Sequence, residues 1–145
     1  MKTYVFVLLI LMAVIFSCKT KTSSTMSTAD NEKVLTTNDT IRIANDSLEY
    51  EIIIIDPGFN TWLVSRARPR NYYSQQYLEA KNRPWVIEWN IRAQQPQRYG
   101  DLYLMQIDYQ PQIDYGYEVN YLLYNYLVYF QQTNNQRLGG IVPQF

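Results

Sequence analysis

Tyr115-Gly-Tyr-Glu-Val-Asn-Tyr-Leu-Leu-Tyr-Asn-Tyr-Leu-Val-Tyr-Phe-Gln-Gln132 is the stretch on which the fold of this chain turns. Val119, Leu122, Leu123, Tyr126, Leu127 and Phe130 recur at i, i+3, i+4, i+7, i+8 and i+11, which is one apolar face of an α-helix. Asp114 stands just upstream, where its carboxylate can take a free first-turn N–H, so it is the expected N-cap. Tyr117, Tyr121, Tyr124 and Val128 fall on nearly the opposite face. One-sided helices usually carry Lys and Glu there. This one has Asn120, Asn125 and Gln131 between its apolar stripes. The helix is therefore either sandwiched between layers or shows a tyrosine stripe to a partner, and the sequence leaves both open.

The chain has 145 residues, enough for one domain plus extras. Its 13 basic and 13 acidic residues balance to a formal charge of zero, whereas a general nucleic-acid binder needs a basic excess. Twelve of the 14 tyrosines lie between Tyr72 and Tyr129, so the folded core is expected there. There is no His, and the one Cys is Cys18. A Ser–His or Cys–His nucleophile pair is thus excluded, and a zinc site would need carboxylates alone. No Gly-rich phosphate-binding motif or EF-hand spacing is present. What remains is carboxylate chemistry. Asp56, Asp108, Asp114, Glu88 and Glu118 lie in the aromatic-rich region, and two of them could serve a glycosidase as acid and nucleophile. Most have a simpler role: caps for Asp56 and Asp114, a first-turn dipole partner for Glu118, an ion pair for Glu88. The expectation is a non-enzyme without cofactor or metal.

Outward from this core the N-terminus reads as an address. Lys2 precedes an apolar run over residues 4–16, too short for a membrane span and suited to a signal peptide. It ends in Ile15-Phe16-Ser17-Cys18, which resembles a bacterial lipobox, although Phe16 is bulky for its place. Residues 1–17 are then a lipoprotein signal peptide, and Cys18 carries the lipid, a palmitate-type anchor to the membrane. The alternatives are a secretory signal with a chance Cys, or a retained helix. Residues 18–38 are rich in Ser, Thr and Asn and read as a flexible tether. Lys19 follows the Cys and the first acid is Asp30, which favours the periplasmic face of the outer membrane over the inner membrane or the cell surface.

The domain is expected over residues 39–132. Residues 40–44 and 48–52 alternate around a turn at Asn45-Asp-Ser47, then Ile53-Ile54-Ile55 runs apolar on both sides, which predicts a β-hairpin whose second strand enters the core at its C-terminal end. Asp56-Pro57 is an N-cap followed by a Pro suited to the first helical position, and Phe59, Trp62 and Leu63 give the next helix an apolar face. Arg66, Arg68 and Arg70 form a basic loop: either an oxyanion clamp, or surface cations that pair with the domain's own acids. Ser74 can cap a helix. Residues 84–92 fit a strand with Trp85, Ile87, Trp89 and Ile91 on one side. They also fit a helix, bent or restarted at Pro84, and the helix is preferred because it places Glu88 and Arg92 at i, i+4. Trp85 and Trp89 beside that pair could stack on sugar rings, or simply be core. Residues 102–109 could add a third strand, and residues 133–145 read as a loose tail.

The words Asp56-Pro-Gly-Phe-Asn-Thr-Trp-Leu63, Ala67-Arg-Pro-Arg-Asn-Tyr-Tyr73, Ile87-Glu-Trp-Asn90, Gln106-Ile-Asp-Tyr109 and Ile113-Asp-Tyr-Gly-Tyr-Glu-Val-Asn-Tyr-Leu-Leu-Tyr-Asn-Tyr126 carry a resemblance. They resemble a family of short Bacteroidota lipoproteins defined as a domain of unknown function, over nearly the whole folded region. The resemblance implies an envelope lipoprotein and transfers no activity, cofactor or catalytic residue.

The expected fold is a small α+β domain: a β-hairpin and a third strand packed on helices, with the C-terminal helix across the sheet. The expected function is a lipid-anchored envelope protein that binds a protein partner, or acts as a scaffold, through exposed Tyr117, Tyr121 and Tyr124. A second reading is a glycan- or peptidoglycan-binding module built on Trp85, Trp89 and the loop of Arg66, Arg68 and Arg70. A third is a carboxylate-based hydrolase.

Overall fold

The computed structural model describes residues 32–37, 40–45 and 50–145. Cys18, the signal segment and most of the expected tether lie outside the described residues. The protein is a small, mostly helical unit.

Three strands, β1 (Glu32–Thr37), β2 (Thr40–Asn45) and β3 (Tyr50–Ile55), form an antiparallel meander in the order β1-β2-β3. The expected hairpin is β2 and β3, with Thr40 opposite Ile55 and Asn45 opposite Tyr50. The third strand is β1, inside the stretch expected as tether, with Thr37 opposite Thr40. Residues 102–109 do not join the sheet. Their main chain is held by side chains of the second helix: Asn90 exchanges two 2.8 Å hydrogen bonds with Ile107, and the Trp89 Nε1–H donates to the Met105 carbonyl at 2.8 Å. Backbone groups satisfied in this way need no strand partner. In β3, Ile54 is buried and Ile53 is 55% exposed, so the sheet reaches the core through one face.

Helix α1 (Pro57–Ser65) starts as its sequence predicts. Asp56 accepts the Gly58 N–H at 2.9 Å and Pro57 takes the first turn. Asp56 also accepts the Tyr129 hydroxyl at 2.9 Å. Gly58 leaves room for that hydroxyl: a Cβ would stand too close to it and push the Tyr129 ring off Asp56. Helix α2 (Gln75–Ala93) is capped by Ser74, whose Oγ accepts the Tyr77 N–H at 3.2 Å. It runs through Pro84 as one helix. Pro84 lacks an N–H for the turn before it, but Leu78, Asn82, Trp85, Val86 and Trp89 bury one continuous side across it, and that packing outweighs the lost bond. A short helix, α3 (Pro96–Tyr99), leads into a 3-10 turn (Gly100–Tyr103).

Helix α4 (Gly116–Thr133) is the centre of the molecule. The N-cap position is Tyr115, which makes no side-chain cap bond; the expected cap, Asp114, stands one residue earlier and accepts the Gly116 N–H at 3.0 Å. From Val119 to Gln131 every residue except Tyr126 is buried. α2 packs along one side and α1 along another. The helix is sandwiched.

Such a helix has no solvent for its polar groups, so it supplies its own partners. Asn120, Asn125, Gln131 and Asn134 each donate a side-chain N–H to the carbonyl four residues back, at 2.7–3.0 Å. Two of these oxygens then tie in other segments: Asn120 Oδ1 accepts from the Tyr109 hydroxyl and from Asn82, and Gln131 Oε1 accepts the Leu138 N–H. Residues 133–145 are accordingly not a loose tail. Leu138 is buried, the Gly139 carbonyl accepts from Trp85 at 3.0 Å, the Pro143 carbonyl accepts from Gln132, and the Phe145 ring lies 5.8 Å from that of Trp62. The paired Gly and late Pro that suggest looseness instead let the chain turn back over α2 and α4, with Gly140 at φ 64°.

Candidate functional site

The tyrosine stripe of α4 is core. Tyr124 and Tyr121 are 1% and 4% exposed, and Tyr117 is half-buried. The loop before α2 covers them. The Tyr121 hydroxyl donates to the Arg68 carbonyl at 2.7 Å, and the Tyr117 hydroxyl accepts the Asn71 N–H at 2.6 Å. Asn71 sits at φ 67°, a left-handed position that Asn tolerates better than most residues. The Tyr124 ring stacks on Trp85 at 5.5 Å, and burial raises its hydroxyl pKa above the ordinary tyrosine value. No exposed tyrosine interface exists on this helix.

The indoles do not form a sugar platform either. Trp85 and Trp89 are 2% and 6% exposed, and both Nε1–H groups are spent on main-chain carbonyls. Glu88 and Arg92 make the expected i, i+4 pair at 2.7 Å. Arg92 also donates to the Tyr103 hydroxyl, Gln136 Oε1 and the Arg137 carbonyl, and so ties α2 to the tail. This is structural work.

The basic loop divides. Arg70 pairs with Glu118, its Nε 2.9 Å from both carboxylate oxygens, and lies 4.8 Å from the Tyr121 ring centroid. That pair fixes the loop to the first turn of α4, where Glu118 also meets the positive end of the helix. Arg66 and Arg68 are exposed, and among the described residues no carboxylate pairs with them. The Arg68 guanidinium lies 5.2 Å from the Tyr72 ring and 5.6 Å from that of Phe145. From Tyr72 a row of neighbours continues: Tyr73 at 4.8 Å, Tyr77 at 4.5 Å from Tyr73, and the Lys81 ammonium at 5.7 Å from Tyr77. Tyr72 is 57% exposed and Tyr77 37%. This row of cations and rings is the most distinctive surface of the described residues. Sequence reasoning found only its arginines. The available signal was the basic run ending on Tyr72-Tyr73, with Tyr77 and Lys81 one and two turns further on.

A polar cleft of about 680 Å³ lies on the other flank of α2, lined among others by Gln75, Glu79, Arg83, Pro111, Ile113 and Asp114. Gln75 Nε2 donates to both Glu79 (2.8 Å) and Asp114 (2.6 Å), while Arg83 pairs with Glu79 at 3.5 Å and donates to the Pro111 carbonyl. These groups clasp one another and join α2 to the entry of α4. Among the described residues no three potential metal ligands of the His, Cys, Asp and Glu types come together, and no helix is long and apolar enough to cross a membrane.

No curated protein and no solved structure matches the chain. The profile of a family of unknown function, DUF6146, matches residues 5–143, which takes in the meander, all four helices and the clamped tail. The chain therefore belongs to the DUF6146 family.

Proposed function

We propose that this protein is a non-enzymatic, lipid-anchored protein of the bacterial cell envelope, of Bacteroidota type. It faces the periplasm from the outer membrane and binds a protein partner through the row of cations and rings between Arg68 and Lys81. The anchor rests on Ile15-Phe16-Ser17-Cys18. The single observation that carries the binding role is that row: Tyr and Arg side chains in ring and cation contact along the loop before α2 and its first two turns, with Arg68, Tyr72 and Tyr77 exposed. Tyr and Arg are enriched among the residues that dominate binding energy at interfaces. A non-enzymatic role is supported by the occupation of the candidate acids: Asp56 by its cap and Tyr129, Asp108 by Gln110, Asp114 by Gly116 and Gln75, Glu88 by Arg92, and Glu118 by Arg70. The fold that goes with this reading is α+β, with the meander and the helices as one unit.

The test uses the full chain in its native envelope. A clickable palmitate analogue labels the wild type and not Cys18→Ser. Photocrosslinking side chains at Tyr72 and Tyr77 capture the same protein. One at Gln97, beyond the far end of the roughly 28 Å α2, captures none. Equal capture from all three positions, or capture from none, removes this surface as the interface.

A further inference from the structure

Resting on the partner-binding reading, we infer that the row of cations and rings takes an acidic, extended segment of the partner protein. The charge distribution points to this. The whole chain is formally neutral, yet residues 66–81 hold four cations and one carboxylate. That carboxylate, Glu79, turns to Gln75 and Arg83 on the cleft side of α2, and Arg70 is neutralised by Glu118. Arg66, Arg68 and Lys81 are left without a carboxylate partner among the described residues.

Two of these three cations are also held in place. Arg68 lies over both the Tyr72 and the Phe145 ring, and Lys81 lies over Tyr77. A cation resting on ring faces has lost part of its rotamer freedom before a ligand arrives, so less is lost on binding. The ring faces are partly covered in return. Arg68 stands over Tyr72, Lys81 over Tyr77, and Tyr73 and Tyr77 stack at an interplanar angle of 12°. A sugar stacks on open ring faces. What these rings offer is chiefly edges and hydroxyls, and the edge is the positive part of the aromatic quadrupole. Carboxylates match both the edges and the cations. The row is also continuous, with steps of 4.5–5.7 Å. An extended chain advances about 3.3 Å per residue, so at most about six residues follow it from Arg68 to Lys81.

The test is fluorescence anisotropy with the full chain in detergent micelles and three probes: poly-L-glutamate, polygalacturonate, and phosphatidylglycerol vesicles. Poly-L-glutamate should bind, and should weaken by about tenfold or more at high salt and in the triple variant Arg66→Ala, Arg68→Ala, Lys81→Ala. Arg98→Ala removes an exposed cation that also rests on a ring, Tyr99, but on α3, and should change nothing. If the triple variant fails to fold, Lys81→Gln carries the test and should weaken binding several-fold by itself. No binding of poly-L-glutamate, or binding undiminished in the variants, overturns the inference. Preferential binding of polygalacturonate or of vesicles overturns it too, in favour of an acidic glycan or a lipid surface. Crosslinks from Tyr72 and Tyr77 that persist without poly-L-glutamate binding would separate the two levels: the partner surface stands and the acidic segment falls.

Discussion

Helices α2 and α4 are almost the same length, 19 and 18 residues, and solve opposite problems. α2 buries one side and turns Ile87, Ile91 and Arg83 outward, with Glu79, Lys81, Glu88 and Arg92 at the margins. α4 has one charged residue, Glu118, in its first turn, and beyond it no solvent face. Charge inside a wrapped helix would be costly to desolvate. Amides are not: each can close one bond within the helix and offer its oxygen to a neighbour. The comparison teaches that two apolar stripes separated by Asn and Gln, rather than by Lys and Glu, mark a helix wrapped by protein.

The comparison breaks most visibly on truncation. Tyr124→Ala or Leu127→Ala in α4 should cost about 3–5 kcal/mol by urea denaturation, whereas Ile87→Ala on α2 should stay within about 0.5 kcal/mol. Similar costs on both helices would mean that α4 is not enclosed. The next effect sharpens the point about amides. Asn120→Leu leaves the Tyr109 hydroxyl without its acceptor and the Asn82 amide with the Asn120 main-chain carbonyl alone, and should cost about 2 kcal/mol. Asn125 Oδ1 has no hydrogen-bond partner among the described residues, so Asn125→Leu should change stability by less than about 1 kcal/mol. If the two substitutions cost the same, the amide oxygens do not act as ties.

The smallest effect is gradual. Burial is the main cause that pushes the hydroxyls of Tyr109, beside α4, and Tyr126, on it, up to about 12. Both pKa values are raised in the folded state, so the unfolded chain releases these protons first, from about pH 10. Their contribution to stability is complete below that pH and is lost as pH rises towards 12. Urea midpoints should fall across this window, and the fall should flatten in Tyr109→Phe and Tyr126→Phe.

The two flanks of the α2 start make a second contrast. One carries cations and rings without carboxylate partners, the other a cleft whose carboxylates, amide and guanidinium satisfy each other. Acidic residues in a cleft would ordinarily attract a functional reading. Here the side chains with unmet electrostatic demand lie on the opposite flank.

What the sequence determined by itself was whatever acts within one or two turns of chain. The 3.6-residue period of α4, the caps Asp56 and Ser74, Pro57 in the first turn and the Glu88–Arg92 pair all depend on residues at most a few positions apart, and each was legible. The hairpin of β2 and β3 was legible for the same reason. The tertiary structure decided what joins distant residues. Arg70 meets Glu118 across 48 positions, Trp85 meets Gly139 across 54, and Trp62 meets Gln132 across 70. These contacts cover the tyrosine stripe, bury both indoles and clamp the tail. Periodicity shows that a helix has an apolar face. It contains no term for which neighbour covers that face, because burial belongs to the assembled core.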